Sequence, residues 1–106
     1  MTVKMSNESN IIFIGKKPPM NYVLALITAF NDSNNKEVIL KARGKAITSA
    51  VDAAEIARRR FLKGLTVQKI AIGTDIVQQE EGDSRNVSTI EITVAVEKPA
   101  EDAQKA

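Results

Sequence analysis

Apolar and polar positions along this chain divide it into six elements. Residues Asn10 to Gly15 (NIIFIG) make a short apolar run halted by glycine, the pattern of a buried strand. Pro18 and Pro19 then open a helix, where a missing backbone N–H does no harm. Met20, Val23, Leu24, Ile27 and Phe30 recur at helical spacing and give it one apolar stripe. Turn formers from Asn31 to Asn35 end it, and Glu37 to Arg43 reads as a second strand. Gly44 precedes a second helix, with the stripe Ile47, Ala50, Val51, Ala54, Ala57 and Phe61. That stripe is rich in alanine, so another element can come close; Gly64 stops the helix. Thr66 to Gln79 and Val87 to Glu97 then alternate with period two, joined by the polar turn Glu80 to Asn86 (EEGDSRN).

Together these elements predict an α+β fold in a single domain. It is a βαβαββ two-layer sandwich with two helices on one face of a mixed four-stranded sheet. The domain is expected over residues 10–97, after a flexible stretch 1–9 and before a disordered acidic tail 98–106. The last hairpin is longer than so small a core needs. Between Asp75 and Ser88 its apolar content thins to Ile76, Val77 and Val87. A two-stranded ribbon of that kind is marginal in water, so it predicts an arm that lies along a partner.

Charge sharpens the picture. The net total is only +2, yet the segment from Lys16 to Lys69 holds 11 basic and 4 acidic residues, a net of +7. From Ile70 to Ala106 there are 3 basic and 8 acidic residues, a net of −5. Such asymmetry points to a polyanionic partner. The cations concentrate where strands lead into helices. Lys16 and Lys17 lie in GKKPPMNY, and Lys41, Arg43 and Lys45 alternate through KARGKA, so that their side chains are expected on one side. The triple arginine Arg58, Arg59 and Arg60 fans around its helix instead, and some of it is expected to pair with Asp52 or Glu55.

Composition removes several function classes. Among 106 residues there is no cysteine and no histidine. That leaves no thiolate, no sulfur metal site and not the usual general base. No glycine-rich phosphate loop occurs either, so neither an enzyme nor a cofactor or metal is expected. The apolar runs are too short for a membrane span, and MTVKMSNESN lacks a signal-peptide core, which predicts a soluble intracellular protein. There are four aromatics. Phe13, Phe30 and Phe61 fit core or interface positions, which leaves no stacking platform for single strands, while Tyr22 stands beside the lysine pair.

The segments IIFIGKKPPMNYVLA, VILKARGKAITSAVDAAEIARRRF and NVSTIEI, in this order and spacing, resemble the Alba family of archaeal chromatin proteins, and the similarity runs from about Asn10 to Val96. The resemblance implies the fold above, which is shared with the C-terminal domain of translation initiation factor 3. It also implies a homodimer that coats and compacts double-stranded DNA, and also binds RNA, with little regard to sequence. Tetramers, or a heterodimer with a paralogue, are further forms the family suggests. By the same resemblance Lys16 and Lys17 meet phosphates, and Lys41, Arg43 and Lys45 add backbone contacts. Asn21 and Tyr22 lie near that face, and Arg85 approaches DNA on the hairpin arm. Lys16 is the expected acetyllysine, served by an acetylase and a deacetylase, and Phe61 the dimer–dimer contact. A cytoplasmic, chromosome-associated location follows from the same comparison. The chain departs from relatives in having Ser49 where they often carry lysine, and in the acids Glu80, Glu81 and Asp83 at the hairpin tip. The alternative within this fold is an RNA-binding subunit of the ribonuclease P type.

Overall fold

The computed structural model describes residues 10–32, 35–80 and 82–96. The expected flexible flanks, 1–9 and 98–106, lie outside the described residues, as does Glu81. Four strands and two helices follow in the predicted order: β1 (Ile11–Phe13), α1 (Pro19–Asn31), β2 (Glu37–Arg43), α2 (Ala46–Ile56), β3 (Leu65–Gln78) and β4 (Ser84–Val96). The sheet order is β1-β2-β4-β3. β1 and β2 pair in parallel, which requires the crossover through α1, and the remaining pairs are antiparallel. The mixed α+β sandwich is the one the sequence predicts.

Alternation along the strands sorts the two faces. Ile12, Ile14, Val38, Leu40, Ala42, Ile92 and Val94 point to the helices and are buried there with Tyr22, Val23, Leu26 and Ala29 of α1. The buried residues of α2 are all alanines, Ala50, Ala53 and Ala54, so it lies close to its neighbours as the small side chains allow. Two expectations change. β1 is an edge strand buried on one side only: Ile12 is covered, whereas Phe13 on the opposite face is 46% exposed. The packed stripe of α1 is also rotated from the predicted one, with Met20 and Leu24 exposed and Tyr22, Leu26 and Ala29 buried. Most of the residues in PMNYVLALITAFN are apolar, so periodicity alone does not single out its packed face.

The second helix does not run on as α-helix to its end. In that geometry the residue four beyond Ala57 would continue its stripe, and that residue is Phe61. The chain instead takes a π turn over Ala57–Phe61, and the Leu62 N–H donates to the Ala57 carbonyl at 2.7 Å. The extra residue advances Leu62 into the core, where it is 8% exposed, and leaves Phe61 outside at 47%. Gly64, at φ 92°, then turns the chain into β3.

The hairpin does outrun its core. The molecule measures 61 × 28 × 24 Å, and Ile76, paired with Asn86 toward the tip, stands 73% exposed. Its turn is tighter than the polar segment suggested. Ser84, Arg85 and Asn86 are strand residues paired with Gln78, Val77 and Ile76, because ladder hydrogen bonds carry the backbone regardless of side-chain polarity. The turn itself closes with Gln79 N–H to the Asp83 carbonyl at 2.7 Å and Gly82 at φ 89°.

Candidate nucleic-acid interface

Both strand-to-helix loops lie at one end of the molecule, because β1 and β2 are adjacent, parallel and each feed a helix. Their basic residues meet there. Lys16 from the first loop, Arg43 and Lys45 from the second, and Ser49 from the first turns of α2 line one groove of about 440 Å³, floored by Ile14, Gly15 and Ala46. The N-terminus of neither helix has a side-chain cap or an acidic residue in its first turn. Of the two helix starts, that of α2 borders the groove through Lys45, Ala46 and Ser49, so the positive end of its dipole adds to the three cations, an arrangement suited to an oxyanion such as phosphate.

Each loop is held by the fold. In the first, the Tyr22 hydroxyl accepts hydrogen bonds from the Gly15 N–H at 2.8 Å and the Lys17 N–H at 3.1 Å. In the second, Gly44 adopts φ 60° and donates its N–H to the Ser88 carbonyl at 2.9 Å, tying the turn to β4. This turn corrects the expected alternation. β2 ends at Arg43, and the left-handed Gly44 breaks the extended geometry, so Lys45 does not continue the row of Lys41 and Arg43 but sits in the turn ahead of α2.

Lys41 and Arg43 project from the sheet face opposite the helices, where each meets a carboxylate. Lys41 Nζ lies 3.6 Å from Glu91, and Arg43 Nη1 lies 3.7 Å from Asp75. Sequence reasoning missed both acids, since they reach their partners only through strand pairing. Lys41 is thus set apart from the groove, while Arg43 borders both regions. Asn21 occupies the first turn of α1, half-buried, with its N–H bonded to the Pro18 carbonyl at 3.0 Å. Arg85 is exposed near the hairpin tip beside Val77, Gln79 and Glu80, away from the groove.

Tyr22 requires a correction. Its side chain is only 2% exposed, so it has no surface to present to a ligand and acts by shaping the lysine loop. Tyr22→Phe leaves two backbone N–H groups without their acceptor. It is expected to cost about 1–3 kcal/mol and to weaken whatever the loop binds, as read by thermal unfolding and by affinity on the same sample.

Of the triple arginine, Arg58 pairs with Glu55 at 2.7 Å, as the helical spacing predicts. The hydrogen bond from Arg58 holds the Glu55 carboxyl below its ordinary range and raises the guanidinium in turn. A depressed carboxylate stabilises the fold above its unfolded-state range and loses that contribution as pH falls; this pair is exposed, so the effect is small. Among the described residues, no group of three or more acidic, histidine or cysteine side chains is placed to hold a metal ion, and no helix is long and apolar enough to cross a membrane.

A two-layer βαβαββ domain with cations gathered where its strands lead into helices is the class that fold and groove define. Residues 10–74 match the Alba family, and the chain belongs to it. The DNA/RNA-binding protein Alba of Methanococcus maripaludis is 55% identical over 83 residues, 78% of this chain and 93% of the relative. Its counterpart in Thermoplasma volcanium is 54% identical over 88 residues, covering 83% and 97% of the two chains. The solved structure of Alba from Thermoplasma volcanium superposes with a TM-score of 0.76 at 53% identity, over 81% of this chain and 99% of that one. ALBA1 from Trypanosoma brucei superposes with a TM-score of 0.69 at 26% identity, over 94% and 83%.

Proposed function

We propose that this protein binds nucleic acid by its phosphate backbone, without reading bases, and coats double-stranded DNA as a homodimer. The observation that carries this reading is the convergence of Lys16, Arg43 and Lys45 on one groove at the uncapped N-terminus of α2. The names of its relatives, DNA/RNA-binding proteins, support it. Phosphate contacts carry no sequence information, so the same grip serves structured RNA, and competition between matched duplex DNA and RNA ranks the two. Nothing in this reading asks the protein to make or break a covalent bond.

Dimerisation is supported by apolar surface that a monomer leaves wet. Val67, Ile70, Ile72 and Ile76 are exposed along β3, an edge strand, on the side that bears the helices, and Val51 is exposed on α2. A contiguous stripe of this kind marks a contact surface. Ile72→Glu is expected to yield a folded monomer with weaker nucleic-acid binding, measured by sedimentation and titration together.

Lys16 lies exposed at the groove, so neutralising it by acetylation is a natural way to release the partner. Lys16→Gln should weaken binding and flatten its salt dependence, whereas Lys16→Arg should do neither. Equal binding by the Gln variant would remove the first loop from the interface. The acid next to Arg43 works in the opposite direction. Asp75→Asn releases the guanidinium for phosphate and is expected to tighten duplex binding a few-fold and steepen the salt dependence; unchanged affinity would show that Arg43 is not engaged.

A further inference from the structure

The sheet face away from the helices carries a hollow of about 460 Å³ whose lining includes Phe13, Lys41, Arg43, Asp75, Thr89 and Glu91. Strand pairing sets Phe13, Lys41, Glu91 and Ala71 in one row across the sheet, and Arg43, Thr89 and Gly73 in the next. β3 contributes only a methyl group and a hydrogen to these two rows, which leaves the surface concave. A Cβ added at Gly73 would stand 3.2 Å from the Thr89 hydroxyl.

We propose that this hollow is a second nucleic-acid site, one that receives an unpaired base stacked on Phe13; the proposal rests on the nucleic-acid reading above. Three observations point there. First, Phe13 is 46% exposed on an open sheet face, which leaves an aromatic side chain within reach of solvent, and every base has a π face that can stack on one. Second, the hollow is electrically balanced, with two cations against two carboxylates, so it does not attract a continuous polyanion as the groove does. Its ion pairs, at 3.6 and 3.7 Å, are longer than hydrogen bonds, and their side chains are partly exposed. They can exchange partners at little cost, which puts donors and acceptors within reach of a base edge. Third, Arg43 lines both the groove and the hollow, making the two continuous. A strand whose phosphates pass Lys16 and Lys45 reaches Arg43, and its next base can turn onto Phe13. A duplex keeps its bases stacked inside and does not have one to offer.

Affinity is measured at one salt concentration for a 15-nucleotide single-stranded DNA, the same sequence as RNA, and a 15-base-pair duplex, on the wild type, Phe13→Leu and Lys16→Gln. Loss of one base–aromatic stack corresponds to roughly a tenfold drop. Phe13→Leu is therefore expected to weaken the single strands about tenfold and leave the duplex within about twofold. Loss for RNA alone assigns the hollow to ribonucleotides, and loss for both strands to any unpaired nucleotide. Upfield shifts of the Phe13 ring protons when wild-type protein is titrated with the single strand give a second reading that needs no variant. Equal weakening of single strand and duplex, no weakening of either single strand, or a changed sedimentation coefficient would overturn the proposal, the last by making this face a protein interface. Lys16→Gln weakens all three ligands if the groove reading holds. If it weakens none while Phe13→Leu acts, the groove reading fails and the hollow stands.

Discussion

Leu62→Ala is expected to destabilise this domain by about 2–5 kcal/mol, the usual cost of emptying a buried leucine site, while Phe61→Ala beside it costs less than about 1 kcal/mol. The contrast follows from one hydrogen bond. Because the Leu62 N–H reaches back five residues to Ala57, the helix phase slips, and the smaller side chain fills the core while the aromatic faces solvent. Thermal unfolding of the two variants checks it, and a strongly destabilised Phe61→Ala would reverse the assignment. An exposed phenylalanine next to Arg58, Arg59 and Arg60 is free to serve contact between dimers, as the family resemblance suggests. Phe61→Ala is then expected to bind duplex with reduced cooperativity and unchanged single-site affinity.

Removing the two groove lysines together, Lys16→Gln with Lys45→Gln, is expected to produce the largest loss of binding. In a dimer four cations disappear. If each meets one phosphate, the slope of log affinity against log salt becomes shallower by roughly 0.9 per lost contact, about 3.6 in all. At physiological salt that corresponds to a drop on the order of 10²- to 10³-fold. The fold should be unaffected, since both lysines lie exposed in turns outside the core. Circular dichroism and melting temperature therefore serve as controls for the titration. The same pair replaced by arginine keeps its charge and should bind like the wild type.

Much of this arrangement was legible in the sequence, and the parts that were not share a cause. β2 has the predicted bounds, Glu37–Arg43, because a charged residue at each end frames a short alternating run. The groove was foreshadowed by cations in two loops that each feed a helix, so parallel pairing of β1 and β2 sufficed to bring Lys16, Arg43 and Lys45 together. The face of α1 stayed hidden because the helix is apolar most of the way round, and only packing chooses between Leu24 and Leu26. The π turn leaves no mark in the hydrophobic pattern, which is why Phe61 read as part of the stripe. The carboxylates beside Lys41 and Arg43 come from residues 50 and 32 positions away along the chain, and strand register, not local spacing, delivers them. Tyr22 stands beside the lysines in sequence, but its hydroxyl accepts from the backbone N–H groups of Gly15 and Lys17, a partnership that local spacing does not show.

The same physics explains why the hairpin and the body answer different questions. The body carries cations on rigid turns, where a phosphate contact costs little ordering of the chain. The arm carries Arg85 among acids such as Glu80, so its net pull on a duplex is weak. Arg85→Ala should accordingly reduce affinity only modestly, by one cation per arm.

A protein that holds duplex DNA by its phosphates binds unrelated sequences alike. The direct check is a titration of the wild-type protein against two duplexes of unrelated sequence over a series of salt concentrations. Two parallel lines of log affinity against log salt are expected, steep enough for several phosphate contacts and separated by less than about 1.4 kcal/mol, tenfold. A flat salt dependence, or a preference for one duplex beyond that margin, would contradict a grip on phosphates.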